Sequence, residues 1–279
     1  MQVQARGKIN WTLNVTGVRP DGYHLLDMLM KPIALCDTLI LEDADDISLC
    51  IDGAEGLSPG EDNLVLRAAF ALREKYHVSR GAGIRLIKRI PMGAGLGGGS
   101  ADAAAALKGL CALWGLDADM DALCRLGLRL GADVPFCLHD APRRAQGIGE
   151  ILTPFESRVY PLILLQPCRA LSTREVFAAY HRGDFRRADN ERSMEALGAG
   201  NLFALRETAA NALESASIPM RPEIAEAKEA LYETGAALAQ MTGSGSVVFG
   251  AYETNEAADK AFLQLRNLYP VCIRTQTAI

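Results

Sequence analysis

The sequence predicts a mixed α+β protein with two domains. The first 50 residues favour β-structure, the apolar pattern then takes on a helical period, and a new series of strand and helix patterns begins beyond about residue 155. A chain of 279 residues is long enough for one large or two modest domains. We therefore expect a first domain at 1–155 and a second at 156–279, the second with mostly antiparallel pairing.

The first half of the chain contains several strand patterns. β-branched and aromatic residues predict a strand at 9–18, and the segments 38–43 and 47–52 flank an acidic turn as the two strands of a hairpin do. Apolar and basic residues alternate at 84–90, which indicates a strand with one buried face, and Pro91 ends it.

Helical patterns occur between and after these strands. The polar stretch 60–63 supplies N-cap candidates for a helix whose buried stripe consists of Leu64, Val65, Ala68, Ala69, Leu72 and Tyr76. The alanine run predicts a second helix that starts at Ser100. A third helix has Asp119 as N-cap and Gly131 at its C-terminal end, so the chain leaves it before Asp133.

Strand and helix patterns begin again in the second half. The segment 161–167 predicts a strand, whereas 185–199 is charged and irregular and predicts a surface loop. Further helices are expected at 176–181, 199–215, 222–236 and 255–269, and further strands at 246–252 and 271–275.

Composition and charge restrict the class of protein. Hydrophobic residues make up 49% and charged residues 23% of the chain, as in a globular protein, and the net charge of -5 argues against a nucleic acid or an anionic membrane as partner. No run approaches the ~20 apolar residues that span a bilayer, and the N-terminus lacks a signal-peptide pattern. The seven cysteines are scattered, mostly within apolar runs and without a Cys-x-x-Cys pair, which predicts reduced thiols in the core and no structural zinc. We expect a soluble, cytoplasmic protein.

The segment 91-PMGAGLGGGS-100 lies between a strand pattern and a helix pattern. In that position, amide N–H groups at the helix N-terminus point at a ligand, the helix dipole favours negative charge, and glycines allow close approach. A tight turn that only packs the helix on the strand is the simpler alternative. Five glycines between residues 93 and 99 exceed what one turn requires, so the segment predicts a phosphate site.

Two phosphate-binding patterns fit this loop in part. Gly93, Gly95 and Gly98 match the G-x-G-x-x-G of dinucleotide sites, but the aspartates about 20 residues further on lie between two helical patterns instead of at the end of a strand. The Walker pattern requires a lysine where Gly99 stands. The positive charge must therefore come from elsewhere in the chain and from a metal ion.

Three motifs together resemble the GHMP kinase superfamily: 5-ARGKINWTLNVTGVRPDGYHLL-26, the glycine loop and 241-MTGSGSVVFG-250. The first motif is similar to that of the family within it that phosphorylates a cytidine diphosphate-linked sugar alcohol in non-mevalonate isoprenoid biosynthesis. Further matches at 131–136, 146–154 and 211–214 extend the resemblance over nearly the whole chain. The resemblance implies a ribosomal-protein-like β-α-β N-terminal domain and a ferredoxin-like C-terminal domain.

The resemblance also implies an active site that uses ATP and Mg²⁺. Lys8 and Asp133 correspond to the catalytic residues: Asp133 accepts or orients the proton of the substrate alcohol, and Lys8 stabilises the developing anion. The superfamily has G-L-G-S-S where this chain has 95-GLGGG-99, so the metal-contacting hydroxyl is assigned to Ser100. The implied ATP-binding residues are Asn63, Lys88, Pro91, Met92, Gly93, Ala94, Gly95, Leu96, Gly97, Gly98, Gly99, Ser100 and Ala101.

For the substrate, the resemblance places Tyr23 and His24 at a cytosine base. An aromatic face can stack on a base, and a histidine can satisfy part of its hydrogen-bonding edge. Thr173 and Phe177 match the family's T-x-x-x-F, in which the phenylalanine forms the other side of the base sandwich, and Asn10 is implied beside the substrate. The segment 243-GSGS-246 is a flexible turn in the simplest interpretation, and in the family it closes against the nucleotide site.

Other functions remain open at this point. One alternative is a GHMP kinase of the mevalonate or homoserine type, which would have no use for a cytosine pocket. A second is an NAD-binding oxidoreductase, which only the G-x-G-x-x-G pattern supports. A third is a protein of this fold that binds its ligand without catalysis. The partner is expected to be a small molecule, and the chain a monomer or homodimer.

Overall fold

The computed structural model describes residues 1–181 and 186–278. Its strands are β1 (Gln2–Val18), β2 (His24–Ala44), β3 (Ile47–Asp52), β4 (Gly81–Ile87), β5 (Arg143–Gly147), β6 (Ile151–Pro154), β7 (Pro161–Gln166), β8 (Leu238–Met241), β9 (Val248–Ala251) and β10 (Val271–Gln276). Its helices are α1 (Leu64–Tyr76), α2 (Gly98–Trp114), α3 (Met120–Leu128), α4 (Val134–His139), α5 (Thr173–Ala179), α6 (Asn190–Ala199), α7 (Leu202–Thr208), α8 (Glu214–Met220), α9 (Glu223–Glu233) and α10 (Asn255–Leu265).

Spatial proximity divides the chain into two compact units that interleave along the sequence. The first contains 1–7, 35–91 and 97–140, and the second contains the remaining segments, 8–34, 92–96 and 141 onward. The long strands β1 and β2 therefore contribute to both units. Because these units reflect proximity and not family domains, the domain boundary expected after residue 155 stays a prediction.

In the first unit, β4 pairs with two strands. The second half of β2 pairs with it antiparallel, from Thr38 opposite Ile87, and β3 pairs with it in parallel. The predicted hairpin of 38–43 with 47–52 is therefore wrong, because β4 lies between those two strands. A parallel pair needs a crossover of a dozen or more residues, and α1 supplies one between β3 and β4.

The helices of the first unit bury the expected apolar faces. Asn63 caps α1, whose buried residues are Val65, Leu66, Ala68, Ala69 and Leu72, and α2 buries its alanine run. Asp119 caps α3 through a bond from the N–H of Ala122, but α3 ends at Leu128, earlier than the predicted end at Gly131. The short helix α4 was not expected. Pro135 fits its first turn, where no intrahelical N–H bond is lost.

The second unit contains an antiparallel sheet in the order β10-β7-β9-β8, as expected for the C-terminal half. The predicted helix at 199–215 is wrong: α7 and α8 are separated where the backbone of Leu13 bonds to Ala210 O and Ala212 N. The surface loop expected at 185–199 is wrong from residue 190 onward, where α6 forms, and Phe185 lies outside the described residues.

The seven cysteines form no disulfide with one another, and their redox state stays a prediction. Cys111 is buried, Cys50 is exposed, and the other five are half-buried, so the thiols are less uniformly in the core than their apolar neighbours suggest. None of the helices that the structure describes has both the length and the apolar character needed to span a bilayer.

Candidate active site

The glycine loop, residues 91–97, leads from the end of β4 into α2. Helix α2 begins at Gly98, two residues before the predicted start at Ser100. Gly97 precedes it with a φ of 69°, in the left-handed region that glycine adopts easily, and no side-chain bond caps this end of the helix. The first amide N–H groups of α2 and the helix dipole therefore remain available for an anion.

Lys8 lies on β1 and is buried, with only 4% of its surface exposed. Its Nζ donates a hydrogen bond to the carbonyl of Gly95 at 2.7 Å and another to Asn10 Oδ1 at 2.8 Å. The backbone N–H of Lys8 donates to the carbonyl of Leu96 at 2.8 Å. The structure thus places a lysine against the glycine loop, which has no lysine of its own.

Asn10 and Thr242 form a second connection to the loop. The N–H of Asn10 donates to Thr242 Oγ1 at 3.1 Å, and Thr242 Oγ1 lies 3.2 Å from the carbonyl of Gly95. Asn10 Oδ1 also accepts a bond from the N–H of Gly243 at 3.0 Å. No role for Thr242 was predicted from the sequence, although the residue belongs to the M-T-G-S-G-S motif.

The turn at 242–246 is braced from several sides. The amide of Asn211 donates to the carbonyls of Met241 and Gly243, both at 2.8 Å. Ser244 Oγ lies 2.9 Å from Thr173 Oγ1, which connects this turn to α5. The motif 243-GSGS-246 is therefore a defined, hydrogen-bonded turn, and the N-A-L-E match at 211–214 was the sequence signal for its brace.

The aromatic residues implied at the base come together in part. The rings of His24 and Phe177 are 4.7 Å apart and tilted by 33°, and Tyr180 meets His24 edge-on at 6.4 Å. Tyr23 is 60% exposed, and the guanidinium of Arg19 lies 6.0 Å from its ring centre. The imidazole of His24 and the ring of Phe177 therefore form one aromatic surface, whereas Tyr23 stands outside it. Tyr180 was not predicted from the sequence.

Asp133 and Ser100 belong to the first unit. Asp133 is half-buried and immediately precedes α4, and its side chain does not cap that helix. Ser100 lies in the first turn of α2, with its hydroxyl 3.6 Å from the position that a Cβ on Gly131 would take. At that distance a Cβ would make only an ordinary van der Waals contact with the hydroxyl, so Ser100 lies beside Gly131, two residues before Asp133.

Asn63 and Lys88 have their polar atoms occupied within the protein. Asn63 Oδ1 accepts from the N–H of Val65 at 2.9 Å, and its amide donates to the carbonyl of Ser58 at 2.8 Å. Lys88 Nζ lies 2.5 Å from Asp37 Oδ2 and 2.7 Å from Asp102 Oδ2. A contact of either residue with adenine stays a prediction. Neither carboxylate was singled out from the sequence.

Burial and neighbouring charges shift the pKa values of Asp102 and Lys88. Burial raises the pKa of Asp102 to about 7, against the opposing effect of the Lys88 ammonium. For Lys88, burial lowers the pKa, but the two carboxylates outweigh this effect and the net direction is upward. Lys88 therefore stays cationic at neutral pH, and Asp102 is harder to ionise than an ordinary aspartate.

The donor set fits a Mg²⁺ that arrives with a nucleotide. The described residues contain no group of three or more His, Cys, Asp or Glu side chains arranged to hold a metal. Protein sites of Mg²⁺ use one or two oxygen ligands together with substrate phosphates, and the Ser100 hydroxyl beside an uncapped helix N-terminus suits that chemistry.

Comparison with protein families identifies both halves of the chain. The model "GHMP kinases N terminal domain" matches residues 63–141, and "GHMP kinases C terminal" matches residues 190–271. Among curated relatives, the 4-diphosphocytidyl-2-C-methyl-D-erythritol kinase of Pelotomaculum thermopropionicum is 42% identical and aligns over 98% of this chain and 96% of its own length. That of Paramagnetospirillum magneticum is 41% identical over 96% and 94%.

Solved structures agree with this relationship. A crystal structure of 4-(cytidine 5'-diphospho)-2C-methyl-D-erythritol kinase has a TM-score of 0.87 and 35% identity, with 100% of both chains covered. Homoserine kinase from Cytophaga hutchinsonii, at 18% identity and a TM-score of 0.75 over 100% of this chain and 94% of its own, shares the fold alone. The two-domain GHMP kinase fold is confirmed, and this chain belongs to the GHMP kinases and, within them, to the family of 4-diphosphocytidyl-2-C-methyl-D-erythritol kinases.

Proposed function

We propose that this ATP-dependent kinase transfers the γ-phosphoryl group of ATP to the 2-hydroxyl of 4-diphosphocytidyl-2-C-methyl-D-erythritol, in isoprenoid precursor biosynthesis. The substrate follows from the full-length relatives, which carry that name. The observation that carries the chemistry is the bond from Lys8 Nζ to Gly95 O, because it fixes a cation at a loop built for phosphate. Kinases of the mevalonate and homoserine type share the fold at low identity and are not favoured.

In the proposed reaction, the substrate oxygen attacks the γ-phosphorus. A new oxygen–phosphorus bond forms, the bond from that phosphorus to the β-phosphate oxygen breaks, and ADP leaves with the electron pair. Asp133 accepts the hydroxyl proton or orients it, and Lys8 stabilises the negative charge that develops. The amides of the glycine loop and of α2 hold the ATP phosphates.

Bound Mg²⁺ supplies positive charge that neutralises the phosphate oxygens. The Ser100 hydroxyl is the proposed protein contact for it.

The proposed cytosine site consists of His24 and Phe177, with Thr173 and Asn10 at the substrate. The ring pair at 4.7 Å presents an aromatic face for stacking, and imidazole nitrogens suit the polar edge of the base. Tyr23 is exposed and on this proposal closes over the base from the other side. We further propose a cytoplasmic enzyme that acts as a monomer or homodimer.

An assay of ADP release tests this function. The protein is incubated with Mg-ATP and, separately, with diphosphocytidyl-methylerythritol, mevalonate or homoserine. We expect ADP above background with the first acceptor alone. Turnover of mevalonate or homoserine in place of that acceptor contradicts the proposal, and so does thermal protection by NADH in the absence of protection by ATP.

Replacement of the proposed base provides the first specific prediction. Asp133→Asn keeps the shape of the side chain and removes its basicity, so kcat falls by about 10²-fold or more while the Kd for ATP stays within about twofold. Single-turnover kinetics and equilibrium ATP binding measure the two quantities. Unchanged turnover would exclude Asp133 as the base.

A further inference from the structure

Three buried charged side chains form a cluster at the base of the glycine loop. Asp37 on β2, Lys88 after β4 and Asp102 on α2 have side chains that are at most 4% exposed. The Lys88 ammonium is held by both carboxylates, at 2.5 Å from Asp37 and 2.7 Å from Asp102. We call these three residues the loop clamp.

The loop clamp holds the chain where it enters the glycine loop. Asp37 Oδ1 accepts hydrogen bonds from the N–H of Arg89 at 2.5 Å and from the N–H of Ile90 at 2.8 Å. These two residues immediately precede Pro91, where the loop begins. One carboxylate therefore fixes both the Lys88 ammonium and the backbone that leads into the loop.

The same clamp holds the helix that follows the loop. Asp102 lies one turn into α2, four residues after Gly98, and its Oδ2 bonds the Lys88 ammonium. The ammonium also lies against the start of that helix, since a Cβ on Gly98 would be 3.4 Å from Lys88 Nζ. Lys88 thus joins the two ends of the loop through direct hydrogen bonds.

Stability alone gives little reason for such a cluster. Burying two carboxylates and one ammonium carries a large desolvation cost, and apolar side chains of similar volume are often equally stabilising. Asp102 Oδ1 is buried without a hydrogen-bond partner among the described residues, which adds to that cost. Charged hydrogen bonds fix the distance and direction between two groups, whereas apolar contacts do not.

We propose that Asp37, Lys88 and Asp102 are positioning residues, which fix the span of the glycine loop so that its amides meet the phosphates of ATP. Lys88 acts through the loop and does not contact the nucleotide, because its ammonium is committed to two carboxylates and the start of α2. This inference rests on the proposed function in one respect only, namely that the loop binds ATP phosphates.

Binding of a nucleotide and of a nucleoside separates this role from a direct contact with adenine. The affinities of a non-hydrolysable ATP analogue and of adenosine are measured for Asp102→Leu and Lys88→Met by calorimetry and by NMR titration. We expect about tenfold or greater loss of affinity for the ATP analogue and a change of less than about twofold for adenosine. An equal loss for both ligands indicates that Lys88 contacts adenine and overturns the proposal.

Two further variants control for a general loss of structure. Lys31→Met removes a buried lysine that bonds residues 157 and 158, remote in sequence from the loop, and should lower the unfolding temperature without changing affinity for the ATP analogue. Asp102→Asn keeps an acceptor for Lys88 and should restore affinity to within about threefold of the wild type. If Asp102→Leu does not fold, Lys88→Met provides the same comparison of the two ligands.

Kinetics complete the test with the natural acceptor. The clamp variants should raise KM for ATP by about tenfold while KM for the acceptor stays within about twofold. If Asp102→Leu lowers the unfolding temperature as Lys31→Met does but leaves ATP affinity unchanged, the cluster is only structural and the proposal is wrong. A wild type that binds the ATP analogue without phosphorylating any acceptor refutes the proposed function, while the binding comparison still decides on the clamp.

Discussion

At the scale of single residues, two lysines show opposite ways of burying an ammonium group. Lys88 is held by two carboxylates, which keep it charged. Lys31 is fully buried and donates to the carbonyls of Ser157 and Arg158, at 3.1 and 2.6 Å, and to the Ser157 hydroxyl. Neutral acceptors compensate less of the desolvation cost than carboxylates do, and burial accordingly lowers the pKa of Lys31 to about 8.

The lowered pKa of Lys31 predicts a stability that rises with pH. Between about pH 8 and pH 10 the unfolded chain binds a proton at this lysine that the folded protein has released, so the free energy of unfolding increases with pH. Relative to Lys31→Met, the wild type should gain about 2 kcal/mol between about pH 7.5 and pH 9.5. Urea unfolding of both proteins at these pH values measures the difference, and parallel pH profiles would contradict it.

The raised pKa of Asp102 predicts that stability changes with pH in the opposite direction. Its pKa is raised to about 7, so below that pH the folded protein binds a proton that the unfolded chain has lost, and stability falls as the pH rises from about 4 to about 7. Asp102→Asn removes this contribution. Relative to the wild type, the variant should gain about 2 kcal/mol between about pH 5.5 and pH 8, measured by urea unfolding. A constant difference across this range would mean that Asp102 stays ionised.

At the scale of elements, the glycine loop depends on one close approach. Gly95 has a φ of 78°, and a Cβ there would lie 2.1 Å from the carbonyl oxygen of Thr242. Gly95→Ala must therefore displace the loop or the turn at 242–246, and we expect about tenfold or greater loss of ATP affinity, measured by calorimetry. Gly235→Ala is the matched control, since that residue has a similar φ of 89° with nothing within 4 Å of the Cβ position. An equal loss of ATP affinity in both variants would show that backbone strain, and not the close approach to Thr242, causes the loss. Unchanged affinity in Gly95→Ala would contradict the prediction.

Elements with a strong apolar period could be predicted from the sequence, and those determined by tertiary contacts could not. The stripe of α1 and its cap at Asn63 were visible because local sequence alone determines them. Helix α6 was missed because its buried residues include Asn190 and Ser193, which are polar. Asn190 Oδ1 accepts a bond from the hydroxyl of Thr12 at 2.6 Å, a partner 178 positions away that no local pattern reveals.

The residues of the candidate site also fall into two classes, those that the sequence predicts and those that only the folded chain reveals. The glycine loop, Lys8 and His24 follow from motifs, because phosphate and base binding require particular residue types at fixed spacing. Asp37 and Thr242 could not be assigned from the sequence. Each acts through hydrogen bonds to backbone groups that only the folded chain brings within reach, as Asp37 does with the N–H groups of Arg89 and Ile90.

At the scale of the whole molecule, ligand binding must increase the free energy of unfolding. A ligand that binds only the folded protein adds RT ln(1 + [L]/Kd) to the free energy of unfolding, about 2.7 kcal/mol at a concentration of 100 Kd. For a chain of this size, that gain raises the unfolding temperature by about 5 °C. Thermal unfolding therefore reports on substrate class without any assay of turnover.

The proposed cytosine site predicts which nucleotide protects the protein. CDP should raise the unfolding temperature more than UDP at equal concentration, because a base edge with the wrong donor leaves a buried polar group unpaired at a cost of about 1–3 kcal/mol. Differential scanning fluorimetry with matched CDP and UDP titrations measures the difference. His24→Ala should reduce it, whereas His181→Ala changes an exposed histidine outside the ring pair and should not. Equal protection by the two nucleotides would leave the phosphates as the source of binding and contradict a cytosine site at His24 and Phe177.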